Sequence, residues 1–205
     1  TNTGIFRSTN GGLNFTRMTI GTGTATGIPE GVSYDLVADP NDANTLYTST
    51  VFSETNFPSA DNGFYKSSNG GAAWTKISTA PIDALLVSGE TSNVEFAVGS
   101  VDNVYAAVIN FGVLQGLFRS PDGGVTWEQM DTPSTNEGGT DVGLNPGGIK
   151  GPGPGDNPTP EELAGGQGAI HFSILADPND ANVVYVGGDR QPRSNGDAGT
   201  FPNSI

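Results

Sequence analysis

Ser120-Pro121-Asp122-Gly123-Gly124-Val125-Thr126-Trp127, entered through Gly116-Leu117-Phe118-Arg119, is the stretch whose reading decides the fold. The same phrase stands earlier as Gly4-Ile5-Phe6-Arg7-Ser8-Thr9-Asn10-Gly11-Gly12-Leu13-Asn14-Phe15. It stands again as Gly63-Phe64-Tyr65-Lys66-Ser67-Ser68-Asn69-Gly70-Gly71-Ala72-Ala73-Trp74. Each copy opens as a short strand in which large and polar side chains alternate between two faces. A polar turn follows. Its Asp or Asn side chain can accept from backbone N–H groups further along, and the Ser hydroxyl can add another bond. Gly12, Gly71 and Gly124 supply positive φ without steric cost. The aromatic in eighth place (Phe15, Trp74, Trp127) starts the return strand and is expected to cover the turn. One copy would be an ordinary hairpin turn; copies in register are an internal repeat.

The phrase resembles the Asp-box, or BNR, repeat, with consensus Ser-x-Asp-x-Gly-x-Thr-Trp. Residues 120–127 match every fixed position: Ser120, Asp122, Gly124, Thr126 and Trp127. The first copy keeps Ser8 and Gly12 but has Asn10, Asn14 and Phe15; the second keeps Ser67, Gly71 and Trp74 but has Asn69 and Ala73. The resemblance implies an all-β fold. It would be a β-propeller with blades of four antiparallel strands, the box joining the third strand to the fourth. Sialidases, sortilin-type receptors, xyloglucan-cleaving glucanases and a photosystem assembly factor share the repeat, so it speaks for fold more than for function.

Composition agrees with many short strands and turns: 205 residues, 31 Gly and 14 Pro, 34% hydrophobic. No apolar run reaches the ~18 residues that a membrane span needs, and no cleavable signal segment is visible. Thr1 opens the chain, consistent with a leader already removed or with an excerpt of a longer protein. The absence of cysteine excludes disulfides and thiolate metal sites. Net charge is −14, from 22 acidic and 8 basic residues, so the surface repels phosphate backbones and argues against nucleic acid. Acidity with few lysines fits an extracellular or cell-surface protein and makes calcium a candidate ligand.

Along the chain, 4–18 reads as an outer hairpin, 32–77 as one blade and 94–130 as a second. A Pro/Gly-rich insertion at 131–168 is expected to be irregular, and 170–205 reads as an incomplete blade. Its centre, Gly151-Pro152-Gly153-Pro154-Gly155-Asp156-Asn157-Pro158, cannot hold a helix or an interior strand. Ala38 to Asn44 recurs letter for letter at Ala176 to Asn182. The repeat strands open at Gly4, Gly63, Gly116 and Gly199, at blade-sized separations of roughly 50 to 60 residues except across the insertion. About three blade-equivalents do not close a ring. The expectation is a longer propeller, or one whose remainder comes from the parent chain or partner chains.

Turns between first and second strands (39–44, 99–103, 177–182) and the three boxes share one end of the blades and are short. The other end carries the variable segments 19–31, 52–62, 78–93, 110–116, 131–168 and 187–198, where binding residues tend to lie. The ligand face is therefore expected there. Its candidates are Asp189, Arg190 and Arg193, with His171 nearby at the entrance of a strand, and Asp61 on the equivalent loop of the first blade. Arg190 and Arg193 could hold a carboxylate or sugar acid through paired hydrogen bonds, or simply pin the loop to Asp189. His171, the single histidine, reads as a packed or solvated ring more than as a ligand or base. Asp39, Asp42, Asp177 and Asp180 have Asp-x-x-Asp spacing that could suggest calcium, but the intervening Pro and Asn read as a type I turn. The carboxylates Glu54, Glu137, Asp141, Asp156, Glu161 and Glu162 read as solvated loop charge. Arg7, Lys66 and Arg119 recur at one repeat position and read as structural.

Sialidases, in the resemblance, carry an Arg-Ile-Pro motif that this sequence lacks. Glycoside hydrolysis needs two facing carboxyls; Asp61 and Asp189 are the nearest pair. No catalytic residue is assigned. The preferred expectation is a non-catalytic propeller segment binding a protein or a glycan, or building a surface assembly. The alternatives are part of a glycoside hydrolase whose other residues lie elsewhere, and an assembly factor.

Overall fold

The structure, a computed structural model, describes residues 4–18, 27–51, 61–137, 140–143 and 168–188. It is an all-β fold of antiparallel sheets. Strands β1 (Phe6–Arg7) and β2 (Thr16–Arg17) form an outer hairpin. Sheet I runs β3 (Leu36–Asp39), β4 (Asp42–Thr50), β5 (Gly63–Ser67), β6 (Thr75–Lys76) in simple meander order. A one-turn helix α1 (Ala80–Asp83) leads into sheet II: β7 (Thr91–Val98), β8 (Val104–Asn110), β9 (Val113–Ser120), β10 (Glu128–Gln129), again in meander order. Sheet III comprises β13 (Ser173–Ala176) and β14 (Val184–Gly187), preceded by the turn of helix α2 (Gly168–His171). These sheets are propeller blades: β3 lies beside β7, and β7 beside β13, so the first strands gather at the inner edge.

Strand β8 shows why the sheets stack. All of its residues are buried, because apolar side chains stand on both faces. Val104, Ala106 and Val108 meet Tyr47 and Phe64 of sheet I. The alternate residues turn to sheet III: Ala107 and Ile109 meet Phe172, and Tyr105 meets Ala176. Phe64 stands edge-on to Phe96, centroids 4.9 Å apart, and to Trp127 at 5.4 Å. Each such buried Val, Ile or Phe side chain stabilises the stack by about 1.5 to 3 kcal/mol, and each Ala by less.

The repeated corners are superimposable in their bonding. The Ser8, Ser67 and Ser120 hydroxyls accept from the N–H of Gly12, Gly71 and Gly124 at 2.9, 2.9 and 2.7 Å. The same hydroxyls donate to Oδ1 of Asn10, Asn69 and Asp122 at 3.0, 3.0 and 2.8 Å. That Oδ1 accepts in turn from the N–H of Asn14, Ala73 and Thr126. Asn serves as well as Asp because the position needs an acceptor. Both glycines of each pair take positive φ, Gly11 and Gly12 like Gly70–Gly71 and Gly123–Gly124, whereas only the second was anticipated. The second and third corners are sewn to their own sheets' first turns: Gly70 N–H to Asn44 O at 2.8 Å, Gly123 N–H to Asp102 O at 2.7 Å.

Several expectations are corrected. Residues 134–137 and 140–143, inside the stretch expected to be irregular, form a paired hairpin, β11 and β12. His171 ends helix α2 instead of opening a strand, and β13 begins only at Ser173. The 110–116 segment is no loop: β8 and β9 join through Phe111–Gly112, both at positive φ. Phe15 lies over Gly12 of its turn but is 63% exposed, while Trp74 over Gly71 is 5% exposed. The Pro/Gly stretch 151–158 lies outside the described residues.

Candidate functional site

Meander connectivity puts the corners and the first turns at one end of the sheets. The entrances of the first strands lie at the opposite end, where the ligand face was expected. On the first strands two carboxyl groups occupy the same repeat position: Asp35 immediately before β3, and Glu95 within β7 between Val94 and Phe96. Asp35 staples adjacent first strands, its Oδ1 accepting from Leu36 N–H and its Oδ2 from Phe96 N–H, both at 2.8 Å. Glu95 sits beside it, half-buried. Burial pushes its carboxyl above the ordinary value of 4.5; a hydrogen bond from Asn93 pulls the other way, and the Asp35 charge pushes further up.

Asn93 organises this rim. Its Nδ2 donates to Glu95 Oε1 at 2.9 Å and to the Gly168 carbonyl of α2 at 3.5 Å, while its Oδ1 accepts from Val94 N–H. Asn93 therefore links sheet II to the helix that carries His171. A second polar set lines sheet I: Ser33 Oγ and Thr48 Oγ1 lie 2.6 Å apart, and Thr48 donates to the Asp35 carbonyl at 2.7 Å. The Tyr34 hydroxyl donates to Thr91 O at 2.5 Å, tying the same end of the two sheets together, and burial raises its pKa. The row holds the carboxylates of Asp35 and Glu95 in fixed positions, with Asn93 and Thr48 buried behind them and hydrogen-bonded within the protein. That chemistry suits a ligand rich in hydroxyl groups.

Of the residues singled out from sequence, Asp189, Arg190 and Arg193 lie outside the described residues. His171 is exposed at the end of α2, which packs against β7 and β9. Asp61 is half-exposed, and its backbone carbonyl accepts from the Tyr65 hydroxyl at 2.7 Å. Asp39, Asp42, Asp177 and Asp180 form Asx turns, accepting from the N–H of Asn41, Asn44, Asn179 and Asn182 at 2.8 to 3.0 Å. Among the described residues no three His, Asp or Glu side chains gather as a metal-binding group. Asp35 and Glu95 were passed over in sequence. Aligning the first strands by repeat position would have found them, since Asp35 and Glu95 each stand two residues before the partner of a repeated Tyr, Val37 with Tyr47 and Ala97 with Tyr105.

An open groove of about 610 Å³ lies at the corner end, between the turns of sheets I and II, lined by Lys66, Ser68, Lys76, Thr79 and Val125. Its cations are engaged: Lys66 Nζ donates to Gly123 O at 2.9 Å and Lys76 pairs with Asp83 at 2.8 Å. The Asp35–Glu95–Asn93 row, which spans two adjacent sheets, is the stronger candidate. No helix among the described residues is long and apolar enough to cross a membrane.

No family model and no curated protein matches this chain. Among solved structures it is similar to the crystal structure of a GH74 enzyme from Niastella koreensis. The match has 25% identity and a TM-score of 0.32, and covers 47% of this chain and 13% of that enzyme. At that score the likeness adds nothing to the architecture, which stands on the chain's own stacked meanders.

Proposed function

We propose that this chain is a segment of a BNR-type β-propeller that binds an uncharged glycan, without cleaving it, through the rim opposite the repeated corners. One observation carries the reading: the Asp35–Glu95–Asn93 row, polar and anchored on strands of two adjacent blades. Carboxylate acceptors held in place recognise sugar hydroxyls at little ordering cost. The net charge of −14 disfavours acidic glycans as ligands. The acidic, cysteine-free composition supports an extracellular or cell-surface setting, which localisation of the native gene product tests. Calorimetric titration against a panel of soluble neutral polysaccharides should give binding that Glu95→Ala weakens at least tenfold. Absence of binding across the panel, with the chain folded, overturns the reading. A protein ligand is then the remaining use of the same rim.

A second reading has its own support. A carboxyl that holds its proton to higher pH beside another carboxyl is the arrangement of an acid–base pair in glycoside hydrolysis. Release of reducing ends from the bound polysaccharide, lost in Glu95→Gln, would establish it in place of simple binding.

A further inference from the structure

Among the described residues, Val101, Asp102 and Phe111 are the non-glycine residues at positive φ. Val101 and Asp102 make the first turn of sheet II, at the corner end. Phe111 stands at the opposite end, in the turn between β8 and β9. An aromatic is a poor choice there. With φ 50° at Phe111 and 75° at Gly112, asparagine would fill the first place at less strain. The core does not claim the ring, which stays 49% exposed. Sheet II already has a neighbour on each face, and this turn projects from its end, where no further blade would cover it.

The strained turn is fixed by its neighbours. Phe111 N–H donates to Glu90 O at 2.8 Å, Gly112 N–H to Ser92 Oγ at 2.9 Å, and Gly112 O accepts from Gly168 N–H at 3.0 Å. Strain that the surroundings hold in place, under a side chain left in solvent, points to a use outside the fold. Two of those neighbours lead to the Asp35–Glu95–Asn93 row. The Gly168 carbonyl accepts from Asn93 Nδ2 at 3.5 Å, and Ser92 directly precedes Asn93 in β7. Glu95 pairs with Ala107 in β8, and Phe111 stands four residues further on (111 − 107). The ring is thus displaced along the strand from Glu95 by roughly 13 Å, further than one sugar unit reaches.

We infer that Phe111 is a stacking platform, its exposed ring receiving the C–H face of one pyranose while Glu95 accepts from a hydroxyl of another unit of the same sugar chain. The inference rests on the reading of the row as a glycan site and narrows that reading in two ways. The ligand is an oligosaccharide, since a single sugar cannot touch both groups. The unit over Phe111 carries its hydroxyls equatorially, so that one face of it is made of C–H groups alone. Such a face meets the negative face of an aromatic ring favourably, and a ring on a turn already held in place loses little freedom on binding.

Calorimetry of the whole chain against β-linked hexasaccharides of glucose, xylose and mannose, and against the matching monosaccharides, tests this. Phe111→Asn suits the turn and should keep the circular dichroism spectrum while weakening hexasaccharide binding about tenfold. Phe111→Trp keeps a ring and should bind within about threefold of wild type. Its added indole emission should change on titration with the hexasaccharide that binds, whereas the two tryptophans of wild type should not respond. Binding that Glu95→Ala weakens but Phe111→Asn leaves unchanged overturns the platform and spares the glycan reading. An unmoved indole emission in a Phe111→Trp chain that binds does the same, as does a monosaccharide bound as tightly as its hexasaccharide. A folded wild-type chain that binds no hexasaccharide overturns the platform and the glycan reading together.

Discussion

The indole Nε1 of Trp127 donates to the carbonyl of Ile77 at 2.9 Å, fastening the aromatic that closes one corner to the sheet in front of it. The same ring packs edge-on against Phe64. Trp74, its counterpart, turns its Nε1 inward to Gly71 O at 3.1 Å instead. One repeat position thus serves two bonds, one across the junction and one within the corner. Trp127→Phe should cost about 1 to 2 kcal/mol in urea unfolding, from the lost hydrogen bond and part of the buried ring. An unchanged midpoint would show that this bond does not hold the sheets together.

Glycines at positive φ divide by what surrounds them. A Cβ on Gly27 would lie 2.1 Å from the Trp74 carbonyl oxygen, a backbone atom that cannot swing away, and φ there is +77°. A Cβ on Gly11, at φ +71°, would meet nothing within 4 Å. Gly11→Ala should therefore cost only the left-handed backbone term, about 1 kcal/mol. Gly27→Ala adds a collision and should cost about 3 kcal/mol or more. Thermal unfolding of the pair measures the difference directly.

That contrast also shows what the sequence disclosed. The corners were legible because Ser, Asn or Asp, and Gly recur at fixed steps, and each has a local bonding partner within the same few residues. Val104 to Ile109 is a run apolar on both faces, which suits a strand buried between two sheets. Gly27 was not legible, because its constraint comes from Trp74, distant in sequence. Asp35 and Glu95 were missed because their meaning depends on β3 lying beside β7, a relation that no local pattern states. The Phe111–Gly112 turn was hidden by its first residue, since an aromatic is a poor signal for positive φ.

That turn yields a stabilising substitution. Phe111 has φ 50° and Gly112 φ 75° between the paired residues Asn110 and Val113. A two-residue hairpin with both φ positive favours Asn-Gly. Phe111 is 49% exposed, so only part of its packing is lost on replacing it. Phe111→Asn should raise stability by about 0.5 to 1 kcal/mol. A loss on substitution would mean that the exposed ring contributes more than its strained backbone costs.

The acid limb of stability should report one corner selectively. The Asp122 carboxyl is held at about 2, against 3.8 ordinarily, first by the Thr126 N–H, then by the Thr126 hydroxyl, and also by the Ser120 hydroxyl and Val125 N–H. A folded-state value below the unfolded one gives stability that is complete above about 3.8 and lost as pH falls toward about 2. Asp122→Asn should flatten that part of the pH–stability curve. The Asn10 and Asn69 corners, which cannot titrate, serve as internal controls. An equally steep acid limb in the variant would assign the loss to other carboxylates.

Glu95 predicts the opposite slope in a higher window. Burial, and then the Asp35 charge, hold its folded-state value above 4.5, with the Asn93 bond opposing them. A carboxyl raised in the folded state favours folding while protonated, so its contribution falls as pH rises from about 4.5 through the raised value. Glu95→Gln keeps an acceptor for Asn93 but cannot ionise. The variant should therefore gain stability over wild type as pH climbs through that window, with the gap constant above it. Urea midpoints at pH 4 and pH 7 give the sign, and carboxyl carbon shifts in wild type give the titration itself. A gap that does not change with pH would mean that Glu95 ionises as freely in the folded rim as in the open chain, and the acid–base reading of that rim would fall with it.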